Sequence, residues 1–302
     1  MKLRQQINLR KFIQVVSFSF LKQYRVIIVV LIAACCLATG FFQKFGNLPL
    51  VGPQTGQVLN CADRFSSNAD DFDIYLTEQT FSESALKAFC QNPVIKRQFG
   101  NVRITVGQND YDTYRYINHG VSDLALVKNN VVSAFGASEI YGYEEVASHQ
   151  DYAAYFIALK EKPVLSKEYL LGKRIGILDY PSSRSGHIVP KKILKTLDLN
   201  PNNVELHYYS SHKEMRRALL SGEVDIISYY WDKNDGEILS RTYITPLENS
   251  VKGMRWYLKM QTRNTDLKCA VQNVIQAISA AQNKKYYQQV ELKEPCVNAN
   301  AQ

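Results

Sequence analysis

The run Pro181-Ser182-Ser183-Arg184-Ser185-Gly186 gathers three hydroxyls and a guanidinium beside a glycine. An apolar strand-like segment, RIGIL (174–178), precedes it, and Ile188, Val189, Ile193, Leu194 and Leu197 recur behind it at helical spacing. The run therefore forms the turn from a strand into the front of a helix. Unpaired backbone N–H groups and the positive end of the helix dipole attract an anion there. Ser and Arg donors suit phosphate-like or carboxylate oxygens. On these residues alone, a serine-capped turn without a ligand fits equally well. His212 follows Ser211, which stands three residues before Glu214 in capping-box spacing. It is either a further donor to the same anion or an exposed first-turn histidine. Tyr111, Tyr114 and Tyr152 lie near expected strand ends, where tyrosines wall pockets or simply pack.

Other chemistries lack their residues. His119, His149, His187 and His207 show no metal-ligand spacing, and there is no G-x-S-x-G elbow, Walker loop or dinucleotide fingerprint. No enzyme, metal or cofactor is expected.

The positioning elements read as alternating strands and helices. Strands are expected at 72–77, 102–106, 123–127 and 152–159, then at 174–178, 204–208, 224–228 and 255–260. Helices are expected from Thr80, Asp110, the turn after Gly186, Ser211 and Thr265, the last with an apolar face through Leu267, Val271, Val274, Ile275 and Ile278. Two β-α-β-α-β units in series predict an α/β architecture of two open parallel sheets. Ligands then bind at the carboxyl ends of strands, in the cleft between lobes. Lobe 1 is expected over about 72–160 plus 250–302 and lobe 2 over about 161–249, after a Gly/Pro-rich linker at 44–71.

The 302 residues carry a net charge of +8, which looks like a nucleic-acid signal until it is located. The first fifty residues hold seven cations and no acid, so the remainder is left at +1. No nucleic-acid partner is expected. Six of those seven cations precede the uncharged run VIIVVLIAACCLATGFF (26–42). A single transmembrane helix at 26–43 is expected, with 1–25 cytoplasmic and carrying an interfacial helix. That arrangement places the chain in a bacterial inner membrane, single-pass, with its main domain periplasmic. Lipoprotein processing at Cys35 and a cleaved secretory signal are the rival readings, disfavoured because the apolar run continues beyond Cys35 and the leader would be unusually long. Cys61, Cys90, Cys269 and Cys296 are an even number on the oxidising side. Proximity favours Cys61–Cys90 and Cys269–Cys296, with the other pairings left open.

The stretch 171–227, LGKRIGILDYPSSRSGHIVPKKIL followed by SSHKEMRRALLSGEVDII, resembles the phosphate/phosphite/phosphonate-type periplasmic solute-binding proteins of the type 2 periplasmic-binding fold. NDYDTYRYINHGVSDLALV (109–127) is similar to that family's first-lobe helix and strand. The resemblance implies that Ser183 and Ser185 donate to an oxyanion, that His212 contacts the same group, and that Tyr111 and Tyr152 line the cleft. It departs at Arg184, where the family has Thr, and at Val127-Lys128-Asn129, where the family has an aromatic-Gly-Asn turn. These extra cations either favour a more acidic ligand or fill the site themselves. The implied function is a membrane-anchored periplasmic receptor for a small anionic solute, working with a transporter permease or sensor. The alternative is a regulatory or structural subunit that docks on a membrane protein complex without a ligand.

Overall fold

The computed structural model describes residues 24, 27–36, 56–200, 202–231 and 233–296. The chain divides into two units, 1–54 and 55–302. In the first, residues 27–36 form helix α1 with exposed side chains. The expected interfacial helix lies outside the described residues, as do both ends of the expected span. At about 1.5 Å per residue, ten helical residues reach about half of a hydrocarbon core about 30 Å thick. Among the described residues no helix is long and apolar enough to cross a membrane.

The second unit begins with β1 (Val58–Asn60), β2 (Asp71–Leu76), β3 (Asn101–Val106), β4 (Leu124–Lys128) and β5 (Tyr143–His149). A second sheet follows: β6 (Tyr152–Ile157), β7 (Arg174–Leu178), β8 (Glu205–Tyr209), β9 (Ile226–Tyr230) and β10 (Ile244–Val251). The chain then returns to the first sheet with β11 (Met254–Lys259) and β12 (Val290–Leu292). The strand orders are β1-β3-β2-β4-β11-β5-β12 and β10-β6-β9-β7-β8. The helices are α2 (Ser82–Gln91), α3 (Pro93–Gln98), α4 (Asp110–Asn118), α5 (Asn129–Ala134), α6 (Ala137–Tyr141), α7 (Lys167–Leu170), α8 (Val189–Thr196), α9 (His212–Ser221), α10 (Thr265–Ala280) and α11 (Lys285–Gln288).

Both sheets are mixed, which corrects the expectation of parallel ones. β3-β2-β4 and β8-β7-β9 are parallel, as the β-α-β pattern predicts, whereas β11 and β6 run antiparallel to their neighbours. A strand that has just crossed from the other lobe enters its sheet without a crossover helix, so it is not bound to the parallel direction. β6 also pairs in the second sheet, which brings lobe 2 forward to about residue 152. The core of lobe 1 packs Phe72, Ile74, Phe81, Phe89 and Trp256 beneath Leu267, Val271 and Ile275 of α10, the helical face read from the sequence. Disulfides join Cys61 to Cys90 and Cys269 to Cys296.

Two chain crossings, at Gln150-Asp151 and Lys252-Gly253, connect the lobes. Asp151 clamps them together, accepting from Arg255 Nη2 (2.9 Å), Gly253 N (3.0 Å) and Ser250 Oγ (3.1 Å). Burial pushes its carboxyl up, but these donors outweigh that and hold it down at about 2. Arg255 Nη1 also donates to His149 O at 2.8 Å. Gly253 is required here because a Cβ would stand 2.4 Å from His149 O and 2.2 Å from Gln150 O. The C-terminal tail braces the same place: Val290 pairs with His149, and Met254 N donates to Tyr286 Oη at 2.9 Å.

Candidate functional site

The turn after β7 is built as a rigid ledge. Ser183 takes the extended backbone of a helix cap, and its Oγ accepts from Gly186 N at 3.3 Å. A π-turn over Arg184–Ile188 leads into α8. Pro190 falls in the first turn of α8, where its missing N–H leaves no bond unmade. Gly186 lets the turn lie against its own strand, since a Cβ would meet Leu178 Cδ1 at 2.7 Å. His187 Nδ1 is bonded to Leu178 O at 2.7 Å, and Ser228 Oγ of β9 donates to Ser185 O at 2.6 Å. Ser183, Arg184 and Ser185 are consequently all buried.

Lobe 1 meets this ledge with the end of β4 and the front of α4. Lys128 Nζ donates to Ser182 Oγ at 2.9 Å and lies over the Tyr180 ring. Asn130 Nδ2 reaches Ser182 O at 3.4 Å, and Arg184 Nη1 donates to Asn129 Oδ1 at 2.7 Å. Arg184 Nη2 reaches Gly253 O at the second crossing, 3.3 Å away. Asp110 receives Ser182 N at 2.9 Å on one carboxylate oxygen and Ser182 Oγ on the other. The crevice between the lobes is therefore bridged by the protein's own side chains.

Positive charge dominates the bridge. Burial brings Lys128 down to about 8, with Arg184 adding repulsion and Asp110 only partly restoring it. Burial likewise lowers Arg184. His212 falls to about 4, first through burial and then through repulsion by Lys128 and Arg216, so it is neutral at pH 7. Its ring packs edge-on against Tyr229 and Tyr230, and Tyr152 packs on Tyr230 and Tyr286. Three buried polar atoms here have no hydrogen-bond partner: Arg184 Nε, His212 Nδ1 and Asn130 Oδ1. Such atoms are costly to leave unmet in a folded interior.

Of the residues expected to bind, Ser183, Arg184, Ser185, His212 and Tyr152 lie about this crevice. Tyr111 does not join them as a buried wall, since the residue is 63% exposed. Lys128 turns out to face the ledge, and Asp110 was missed as a member of the site. The expectation that Asp110 caps α4 is corrected. Asn109 is the cap, accepting from Asp112 N at 2.9 Å, and Asp112 answers by accepting from Gln108 N at 3.0 Å. The Asn109-x-x-Asp112 spacing was the signal that could have released Asp110 for another task. Cys61, Asp63, Arg64 and Lys96 line a shallow depression beside the amino end of β3, away from the crevice. Among the described residues no cluster of His, Cys, Asp or Glu can hold a metal ion.

Residues 101–232 match the family model "ABC transporter, phosphonate, periplasmic substrate-binding protein". No curated protein sequence matches the chain. Among solved structures, the binding-protein component of a phosphonate ABC transporter from Pseudomonas aeruginosa superposes with a TM-score of 0.53 at 15% identity, covering 74% of this chain and 82% of that one. PhnD1 from Prochlorococcus marinus in complex with methylphosphonate gives 0.53 at 15% identity, covering 74% and 89%. A Xanthomonas citri protein bound to ATP gives 0.52 at 11% identity, covering 71% and 85%. At these identities the superpositions speak for the two-lobed fold.

Proposed function

We propose that this chain binds a small oxyanion between its lobes, a reading supported by the match of residues 101–232 to the phosphonate-type periplasmic substrate-binding family, whose members bind solutes. One observation carries the reading: Arg184 Nε and His212 Nδ1 are buried without hydrogen-bond partners in a crevice that also holds the half-buried ammonium of Lys128. An oxyanion carrying a phosphonate or phosphate group would satisfy these donors and offset the excess positive charge. Ser183 and Ser185 would add hydroxyls from the helix front. Closure of the lobes on the solute would then follow from its greater affinity for the closed form.

The test is calorimetry on the full-length chain with methylphosphonate and inorganic phosphate. Saturable binding is expected, and Ser183→Ala with Ser185→Ala should weaken it at least about tenfold, or about 1.4 kcal/mol. Unchanged affinity in the double variant would remove the site assignment. A second reading has its own observation, the bridging of the crevice by Asp110, Lys128 and Arg184. In that reading the lobes serve as a docking surface for a membrane protein, and neither probe produces heat. The apolar run 26–42 with its upstream cations supports a membrane tether in both readings, with the two-lobed unit on the periplasmic side.

A further inference from the structure

Asp110 is the first residue of α4, yet it does not cap the helix. The front of α4 is closed by Asn109, which accepts from Asp112 N, and by Asp112, which accepts from Gln108 N. Both carboxylate oxygens of Asp110 go instead to the opposite lobe, one to Ser182 N and one to Ser182 Oγ. A backbone N–H and a serine hydroxyl at a strand-to-helix turn, with a lysine ammonium on the same hydroxyl, form the contact set that an oxyanion ligand would take. Asp110 has the charge and the planar pair of oxygens to fill that place.

We propose that Asp110 is a built-in stand-in for the ligand: a carboxylate from lobe 1 that sits on Ser182, latches the lobes shut while the crevice is empty, and must be displaced when an oxyanion enters. The latching step needs no ligand. The displacement step rests on the solute-binding reading above. Its neighbours fit the role. Asn129, Asn130 and Lys128 follow one another on the lobe 1 side and reach the same ledge, so the contact at Asp110 is one of a row that opens or closes together. A latched resting form also lowers apparent affinity, because solute binds only the fraction of molecules whose seat is vacated. Asp110 therefore sets the concentration of solute at which the protein responds.

The experiment measures the distance between the lobes directly. In the full-length chain, Cys35→Ser and Cys36→Ser remove the two cysteines outside the disulfides, and Ile140→Cys with Leu220→Cys place spin labels at exposed positions on lobes 1 and 2. Without ligand, the parent protein should give one short distance by double electron–electron resonance. Asp110→Ala and the isosteric Asp110→Asn should move the population to distances several ångströms longer, with far-ultraviolet circular dichroism unchanged. Folded variants that keep the parent distance would overturn the latch. Titration with inorganic phosphate supplies the second arm, in which Asp110→Asn should bind at least tenfold more tightly than the parent. Equal or weaker binding would refute displacement. If the distance shifts and neither phosphate nor methylphosphonate binds to either protein, the latch stands and the solute-binding reading falls. If phosphate binds to both and the distance does not move, the reverse holds.

Discussion

Above neutrality, Lys128 decides how the crevice responds to pH. Lys128 titrates at about 8, so at neutral pH it is charged and at pH 9 largely neutral. An oxyanion favours the charged form, and binding takes up a proton once the pH exceeds that value. Affinity for inorganic phosphate should therefore fall by up to about tenfold per unit above pH 8, where the ligand is already largely its dianion. Calorimetry from pH 6.5 to 9.5 checks this, and Lys128→Met should flatten the profile. His212, at about 4, contributes nothing to that slope because it is already neutral throughout the range. At this scale the sequence was half legible. Hydroxyls and guanidinium at 182–185 announced an anion-binding turn through their types and spacing. Asp110 announced nothing, because its partner Ser182 lies 72 residues away and its own helix offered it a plausible local role.

At the scale of elements, the hinge is the part on which motion depends. Arg255 is nearly buried and ties Asp151, Glu145 and His149 O into one clamp across both crossings. Removing it by Arg255→Met should cost about 2 kcal/mol, the order expected for a charge-assisted network that loses its central donor. Urea unfolding at pH 7 reads that loss, and an unchanged midpoint would show that the clamp carries no stability. Strands and amphipathic helices near this hinge were readable from periodicity: β7 falls over 174–178 as expected, and Ser211 caps α9. Strand direction was not readable. Periodicity reports which side chains face inward, whereas the antiparallel entry of β6 and β11 is set by where the chain crosses between lobes, a relation between distant segments.

For the whole molecule, charge and apolar content divide the chain more sharply than any motif does. A body near neutrality follows fifty residues that hold seven cations and no acid. If the run 26–42 tethers the protein, the chain should stay with membranes through alkaline carbonate extraction, and a chain beginning after residue 54 should appear in the supernatant. Release of the full-length chain would discard the tether. The two-lobed plan was legible because two similar strand–helix series recur in order. Closure of the crevice on itself was not, since it depends on how two separately folded sheets meet.

The Cys269–Cys296 bridge fastens α10 to the tail, and that tail supplies both β12 alongside β5 and Tyr286 beneath Met254. A reductant that opens this bridge would soften the swing of one lobe against the other without touching any donor that meets solute. With Cys61–Cys90 left intact in a Cys296→Ser chain, faster amide exchange at residues 147–151 and 252–256 would be its mark.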